Sequence, residues 1–231
     1  MSKSGQLTIS KTRSIPQPNA YVKAIYGEFR EWSLDEEATP QFKGQWREKI
    51  FNASAETPLD LEIGVGNGLH FAARAQSYPN RCLLGVELRY KPLIQSIRRA
   101  LREGSSNARV ARYNAYLLES YLAEGEIDDV FIFFPDPWEK GRQHKHRLIQ
   151  DDFLKSLYRV MRPGSRLLFK TDSADYFAWS TERFKRSPFH LQDWTSDLHG
   201  DGQARPNFIT QFERIFIRQG LKIGYAELLR N

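Results

Sequence analysis

Leu59-Asp60-Leu61-Glu62-Ile63-Gly64-Val65-Gly66-Asn67-Gly68 is the stretch from which the fold of this chain is read. A short apolar run, Leu59–Ile63, ends in a glycine loop, and residues from Gly68 to Gln76 then read as a helix. Glycine lets a chain turn sharply between strand and helix and lets a ligand come close to the main chain. The spacing is G-x-G-x-G, which differs from the G-x-G-x-x-G of dinucleotide binders. An acid, Glu62, stands directly before the loop. It would repel a pyrophosphate and suits a ligand whose nearest group is cationic.

The same strand–helix alternation continues outward from this loop. Cys82–Glu87, Arg109–Tyr113, Asp129–Phe134 and Ser165–Thr171 read as strands. Arg89–Glu103 reads as an amphipathic helix with Leu93, Ile94, Ile97 and Leu101 on one side. Arg147–Met161 reads as another, with Ile149, Phe153, Leu157 and Val160 on its apolar face and Pro163-Gly164 as its stop. Such alternation predicts an α/β domain with a central, mostly parallel sheet and helices on both faces. Upstream, Tyr21, Ile25, Phe29, Trp32 and then Phe42, Trp46, Ile50 recur at helical spacing, giving two helices parted near Pro40. Downstream, Phe189–Trp194 and Gln211–Arg218 read as strands able to pair antiparallel. The expected organisation is a flexible basic arm over residues 1–23 and a single domain over 24–231, divided into helices at 24–57 and the core at 58–231.

In such sheets ligands bind outside the carboxyl ends of the strands. Glu87 closes the second strand, where an acid accepts hydrogen bonds from ribose hydroxyls. Asn114 follows the third, placing a side-chain amide within reach of an adenine edge. Gly64, Gly66 and Gly68, with Glu62, Glu87 and Asn114, therefore read as a site for S-adenosylmethionine, whose amino end is cationic. After the fourth strand comes Phe134-Pro135-Asp136-Pro137-Trp138. Two prolines fix the chain direction around Asp136 and give one carboxylate a rigid pedestal at the cofactor's reactive end. The same carboxylate also reads simply as a turn residue.

Composition narrows the partners. The chain has 231 residues, a formal net charge of +6 and a sequence pI of about 9.4. A basic protein favours polyanions, because each neutralised phosphate releases counterions. Arg142-Gln143-His144-Lys145-His146-Arg147 follows the Asp136 loop and concentrates charge beside the expected site. The arm carries Lys3, Lys11, Arg13 and Lys23 and no acid. A single cysteine, Cys82, excludes an intrachain disulfide and a cysteine metal cluster and points to the cytoplasm. His144 and His146 lack a third ligand nearby, so no metal is expected. The apolar runs are too short to cross a membrane.

Taken together, Glu62-x-Gly-x-Gly-x-Gly, Phe134–Trp138, Lys140, the basic run 142–147, Thr171-Asp172 and Thr210-x-Phe212-Glu213 resemble the bacterial tRNA (guanine-N7)-methyltransferase family. The resemblance runs in order from about Leu59 to Arg218. It implies a Rossmann-like class I S-adenosylmethionine-dependent methyltransferase with a C-terminal antiparallel strand, acting on the variable-loop guanine of tRNA; the sequence leaves monomer and homodimer both open. It further implies cofactor contacts from Glu62, Glu87, Asn114 and Asp136, with Asp136 also in the chemistry. Substrate contacts would come from Lys140, Asp172 and Thr210, Gln211, Phe212 and Glu213. RNA contacts would come from Arg142, Gln143, His144, Lys145, His146 and Arg147. Glu139, Gly141 and His146 make the loop less basic than the family pattern, and Asn114 stands where some members have an acid. The alternative substrates are another RNA or a small molecule.

Overall fold

The computed structural model describes residues 11–231. The chain order is α1 (Ala20–Tyr26), β1 (Ser33–Leu34), β2 (Leu59–Ile63), α2 (Leu69–Ser77), β3 (Cys82–Val86), α3 (Tyr90–Arg102), β4 (Ala108–Ala111) and α4 (Leu118–Tyr121). It continues through β5 (Val130–Phe133), α5 (Asp151–Val160), β6 (Arg166–Thr171), α6 (Ala174–Arg186), β7 (His190–Thr195), α7 (Gln211–Arg218) and β8 (Gly224–Leu229). The strands form one sheet in the order β1-β4-β3-β2-β5-β6-β8-β7. All neighbours from β1 to β6 are parallel, and β8 runs antiparallel to both β6 and β7. Strand order reverses at β2, so the loops after β2 and β5 diverge there and leave a crevice.

Period-two alternation divides the core between two faces. Leu59, Leu61 and Ile63 of β2, with Leu84 and Val86 of β3, pack toward Leu118, Phe153, Leu157 and Tyr176 from α4, α5 and α6. Leu83 of β3 and Ala108 and Val110 of β4 pack the other way, against Ile25, Phe71, Ala75, Leu93 and Ile97 from α1, α2 and α3. The remaining two residues of β2 are acids. Asp60 is buried beneath Arg74 and Arg81, whose guanidinium groups reach it at 2.6 and 2.5 Å.

Three expectations are corrected. Residues 211–218 form a helix, with Thr210 accepting from the Glu213 amide and the Glu213 carboxylate accepting from the Thr210 amide, a capping box. The β-branched and aromatic residues of this segment read as a strand, but the two reciprocal cap bonds commit it to a helix. The antiparallel partner of β7 is instead β8, whose Ala-Glu-Leu-Leu composition favours helix in isolation and is overridden by pairing on both sides. The helix expected from Arg147 begins only at Asp151, because Arg147 is drawn into the core by other bonds described below.

The basic arm expected over 1–23 falls partly outside the described residues, which exclude 1–10 and with them Lys3. Within its described part, Thr12 and Arg13 are tied to the domain, while most residues up to 20 are exposed. Thr12 is buried, its hydroxyl donating to Glu36 at 2.5 Å and accepting from Arg112 at 3.1 Å. Arg13 pairs with Asp35. Of the two helices expected over 24–57, α1 is present, whereas the second apolar group forms a 3-10 turn at Thr39–Phe42 and a π turn at Trp46–Ile50.

Candidate active site

A cleft of about 390 Å³ opens at the carboxyl ends of β2, β3, β4 and β5. Its floor is the glycine loop. Gly64 has φ +77°, and a Cβ built there meets nothing within 4 Å, so the main chain itself faces the cleft. A Cβ at Gly66, φ +52°, would come to 4.0 Å from the ring of Phe212, which also lines the cleft. Gly68 works differently from its expected place among the ligand contacts. It does not line the cleft; a Cβ there would fall 2.3 Å from the Cα of Ser96, so its task is to let α2 seat against α3.

Three polar side chains mark the ends of three adjacent strands. Glu62 of β2 is buried, and its Oε2 lies 2.7 Å from His70 Nδ1. Glu87, directly after β3, accepts from the Arg89 amide at 2.9 Å through Oε1. Asn114, after β4, uses Oδ1 to accept from the Tyr116 amide at 3.0 Å, and its amide nitrogen has no partner among the described residues. All three line the cleft. An acid before an open glycine loop, a second acid after the neighbouring strand and an amide after the next match the cationic amino end, ribose and adenine of S-adenosylmethionine, so the residues present fit that cofactor.

The loop after β5 brings in Asp136. Phe134 and Trp138 on either side of Pro135-Asp136-Pro137 both have positive φ, +54° and +44°. Each is strained by roughly 1–2 kcal/mol in that region. The rings explain how the shape persists: Phe134 packs on Phe216 at 5.5 Å and Trp138 on His146 at 5.3 Å. Asp136 lines the cleft, is exposed, and takes no hydrogen bond or ion pair among the described residues.

The basic run splits into two kinds of residue. Lys140, Arg142, Lys145 and His146 are exposed on or beside a 3-10 helix, Gly141–His146, and His146 also reaches the cleft. Gln143 and His144 are half-buried, His144 with its ring 5.1 Å from Trp179. Arg147, expected at the RNA surface, is corrected: it is fully buried, donates to the Pro137 carbonyl at 2.7 Å, pairs with Asp175 and lies over Tyr176 and Trp179. It is a brace under the Asp136 loop, and its aromatic surroundings account for its burial.

The residues expected at the substrate also separate. Thr210 and Phe212 line the cleft, and Gln211 occupies the first turn of α7. Lys140 and Asp172 do not line it. Asp172 is half-buried, which raises its carboxyl above the usual range, and the cap of α6 is Ser173, not Asp172. Glu213 is fully buried, not on the surface of an edge strand. Lys170 (2.9 Å), His199 (2.8 Å), Asn207 (2.9 Å) and the Thr210 amide (3.2 Å) all converge on its carboxylate. His70, Phe208 and Lys170 were not anticipated; a histidine two positions past Gly68 is the one signal that pointed to the first.

A glycine cradle, strand-end acids and an open carboxylate after β5 define a class I S-adenosylmethionine-dependent methyltransferase. The solved structure of the 16S rRNA methyltransferase KamB superposes with a TM-score of 0.57 at 14% identity, covering 80% of this chain and 93% of that one. TrmN from Thermus thermophilus gives 0.53 at 19% identity over 81% of this chain and 48% of its own. At these identities the likeness establishes the fold. Residues 56–226 match the family model described as a putative methyltransferase. A tRNA (guanine-N(7)-)-methyltransferase of Bdellovibrio bacteriovorus is 45% identical over 205 residues, 89% of this chain and 98% of that protein. Another from Lactococcus lactis subsp. cremoris is 30% identical over 187 residues, 80% of this chain and 85% of its own. This chain belongs to the tRNA (guanine-N7)-methyltransferase family.

Proposed function

We propose that the protein transfers the methyl group of S-adenosylmethionine to N7 of the variable-loop guanine at position 46 of tRNA, in the cytoplasm. The observation that carries this reading is the open Asp136 carboxylate on the wall of a cleft whose floor fits the cofactor. Among the described residues no helix is long and apolar enough to cross a membrane and no cluster of metal-ligating side chains occurs.

Bound in the cleft, S-adenosylmethionine supplies an electrophilic sulfonium methyl. Guanine N7 carries an in-plane lone pair and no proton at neutral pH, so the chain need not provide a general base. Its residues position and stabilise instead. Glu62 holds the amino end, Glu87 the ribose and Asn114 the adenine edge. Asp136 faces the guanine, which gains positive charge as N7 is methylated, and an open carboxylate there favours the transition state over the ground state. Thr210 and Phe212 shape the wall against which the base is set, so that attack is in line. Lys140, Arg142, Lys145 and His146 contact phosphates beside the cleft. Glu213 acts through Thr210, since its own carboxylate is fully engaged.

The test is methyl transfer from labelled S-adenosylmethionine to an unmodified tRNA transcript, with nucleoside analysis of the product. The reading requires 7-methylguanosine, and its loss when guanine 46 is replaced. Labelling of another RNA or of a small molecule, with this tRNA untouched, would replace it.

A further inference from the structure

Glu62 enters the cleft from β2, but the strand alone does not fix its carboxylate. Its Oε2 lies 2.7 Å from His70 Nδ1, both side chains less than a tenth exposed, while Oε1 has no partner among the described residues. A buried carboxylate offers only acceptors, so the ring nitrogen facing it must carry the hydrogen. The ring in turn is held on three sides, by Phe131 at 5.2 Å, Phe133 at 4.7 Å and Phe208 at 5.6 Å. Phe131 and Phe133 come from β5, and Phe208 from the segment leading to α7, where its carbonyl accepts from Lys170 at 3.1 Å. The imidazole is thus packed among three phenylalanines, and the cleft-lining carboxylate it meets has one oxygen occupied and the other without a partner among the described residues.

We propose that His70 is a positioning residue for the cofactor. Its Nδ1–H pins Glu62 Oε2 and turns Oε1 toward the cationic amino group of S-adenosylmethionine. The assignment rests on Glu62 holding that group. Without the imidazole donor the carboxylate is free to rotate, and part of the binding free energy goes into reordering it. His70 also lines the cleft, and in this assignment it acts through Glu62, so its contribution lies in cofactor affinity and not in turnover.

Two substitutions separate the hydrogen bond from the packing. His70→Phe keeps a ring among the three phenylalanines and loses the donor. His70→Asn loses the ring but places an amide N–H near the position of Nδ1. Titration of the full-length protein with S-adenosylhomocysteine, without tRNA, should show His70→Phe weakened ~10-fold, the scale of one charge-assisted hydrogen bond. His70→Asn should stay within about threefold of the parent on the same scale. For His70→Phe the KM for S-adenosylmethionine should rise in parallel while kcat at saturation holds. Equal binding by His70→Phe and the parent, or weaker binding by His70→Asn than by His70→Phe, overturns the proposal. So does a ring tautomer with hydrogen on Nε2 alone, read by nitrogen NMR of the ligand-free protein. Glu62→Gln separates the premise: unchanged binding there removes the cofactor role of Glu62 itself, whereas weakened binding in Glu62→Gln with parental binding in His70→Phe removes only that of His70.

Discussion

The Lys170 ammonium lies 2.9 Å from the Glu213 carboxylate, with both side chains closed off from solvent. Lys170 is the penultimate residue of β6 and Glu213 lies in the first turn of α7, so one ion pair fastens the cleft wall to the core. Replacing Lys170 with Met strands a buried carboxylate and should cost about 3–5 kcal/mol in urea unfolding, with a large part regained when Glu213 is also made Leu. A Lys170→Met protein as stable as the parent would show the pair to be dispensable.

The same pair sets an acid response. Burial works to raise the Glu213 carboxyl, but the Lys170 charge and the bonds from Lys170, Asn207 and Thr210 hold it below the usual range. A group depressed in the folded state contributes stability above its unfolded pKa of about 4.3 and loses it as pH falls through the folded value. Unfolding free energy should therefore decline as pH drops below about 4, and Glu213→Gln should flatten that decline.

Gly68 carries a prediction that its place in the motif alone would not give. An alanine there meets Ser96 main-chain atoms at 2.3 Å and must also hold φ +76°. Gly68→Ala should destabilise the fold by roughly 2–4 kcal/mol through overpacking and strain. Gly64→Ala carries the same backbone strain at φ +77° but meets no neighbour, so it should destabilise less and its larger effect should fall on cofactor affinity. Melting temperature and S-adenosylhomocysteine titration, measured on both, distinguish the two glycines.

Arg142 and Arg147, five positions apart in one basic run, should fail in different assays. Arg142→Ala should lower tRNA affinity, reduce the salt slope of binding by about one and leave stability unchanged. Arg147→Ala should lower stability by about 3 kcal/mol, since it empties the space packed against Tyr176 and Trp179 and leaves the Pro137 carbonyl without its donor. An Arg147→Ala protein that melts like the parent but binds tRNA poorly would restore this arginine to the RNA surface.

Asp136→Asn should reduce kcat about 100-fold with a smaller change in tRNA affinity, the scale of removing one electrostatic contact to a developing charge. Single-turnover kinetics with saturating cofactor measure this directly.

How far the sequence discloses the molecule depends on the range of the forces involved. Cys82–Val86 announces itself as a continuous apolar run bounded by turns, and Leu59–Ile63 by apolar residues at every second position leading into the glycine loop. Asp136 is legible because two prolines act on the residues beside them. Helix α7 is misread from the composition of Gln211–Arg218, although Thr210 and Glu213 spell its cap three residues apart. Strand β8 is invisible locally, since only pairing with β6 and β7 makes Ala226-Glu227-Leu228 extended. Arg147 looks like its cationic neighbours until Tyr176 and Trp179, distant in sequence, enclose it. Glu62 is evident, but its grip on His70 appears only when α2 folds back over β2.

The left-handed pair at Phe134 and Trp138 carries one more implication. Glycine at either position would relax the backbone, yet it would also let the loop explore many shapes. Aromatic residues spend a little enthalpy to keep one. The direction in which the Asp136 side chain leaves the main chain is thereby set by the backbone instead of by a neighbouring donor. A side chain aimed in that way keeps every lone pair in reserve for the guest that comes to meet it.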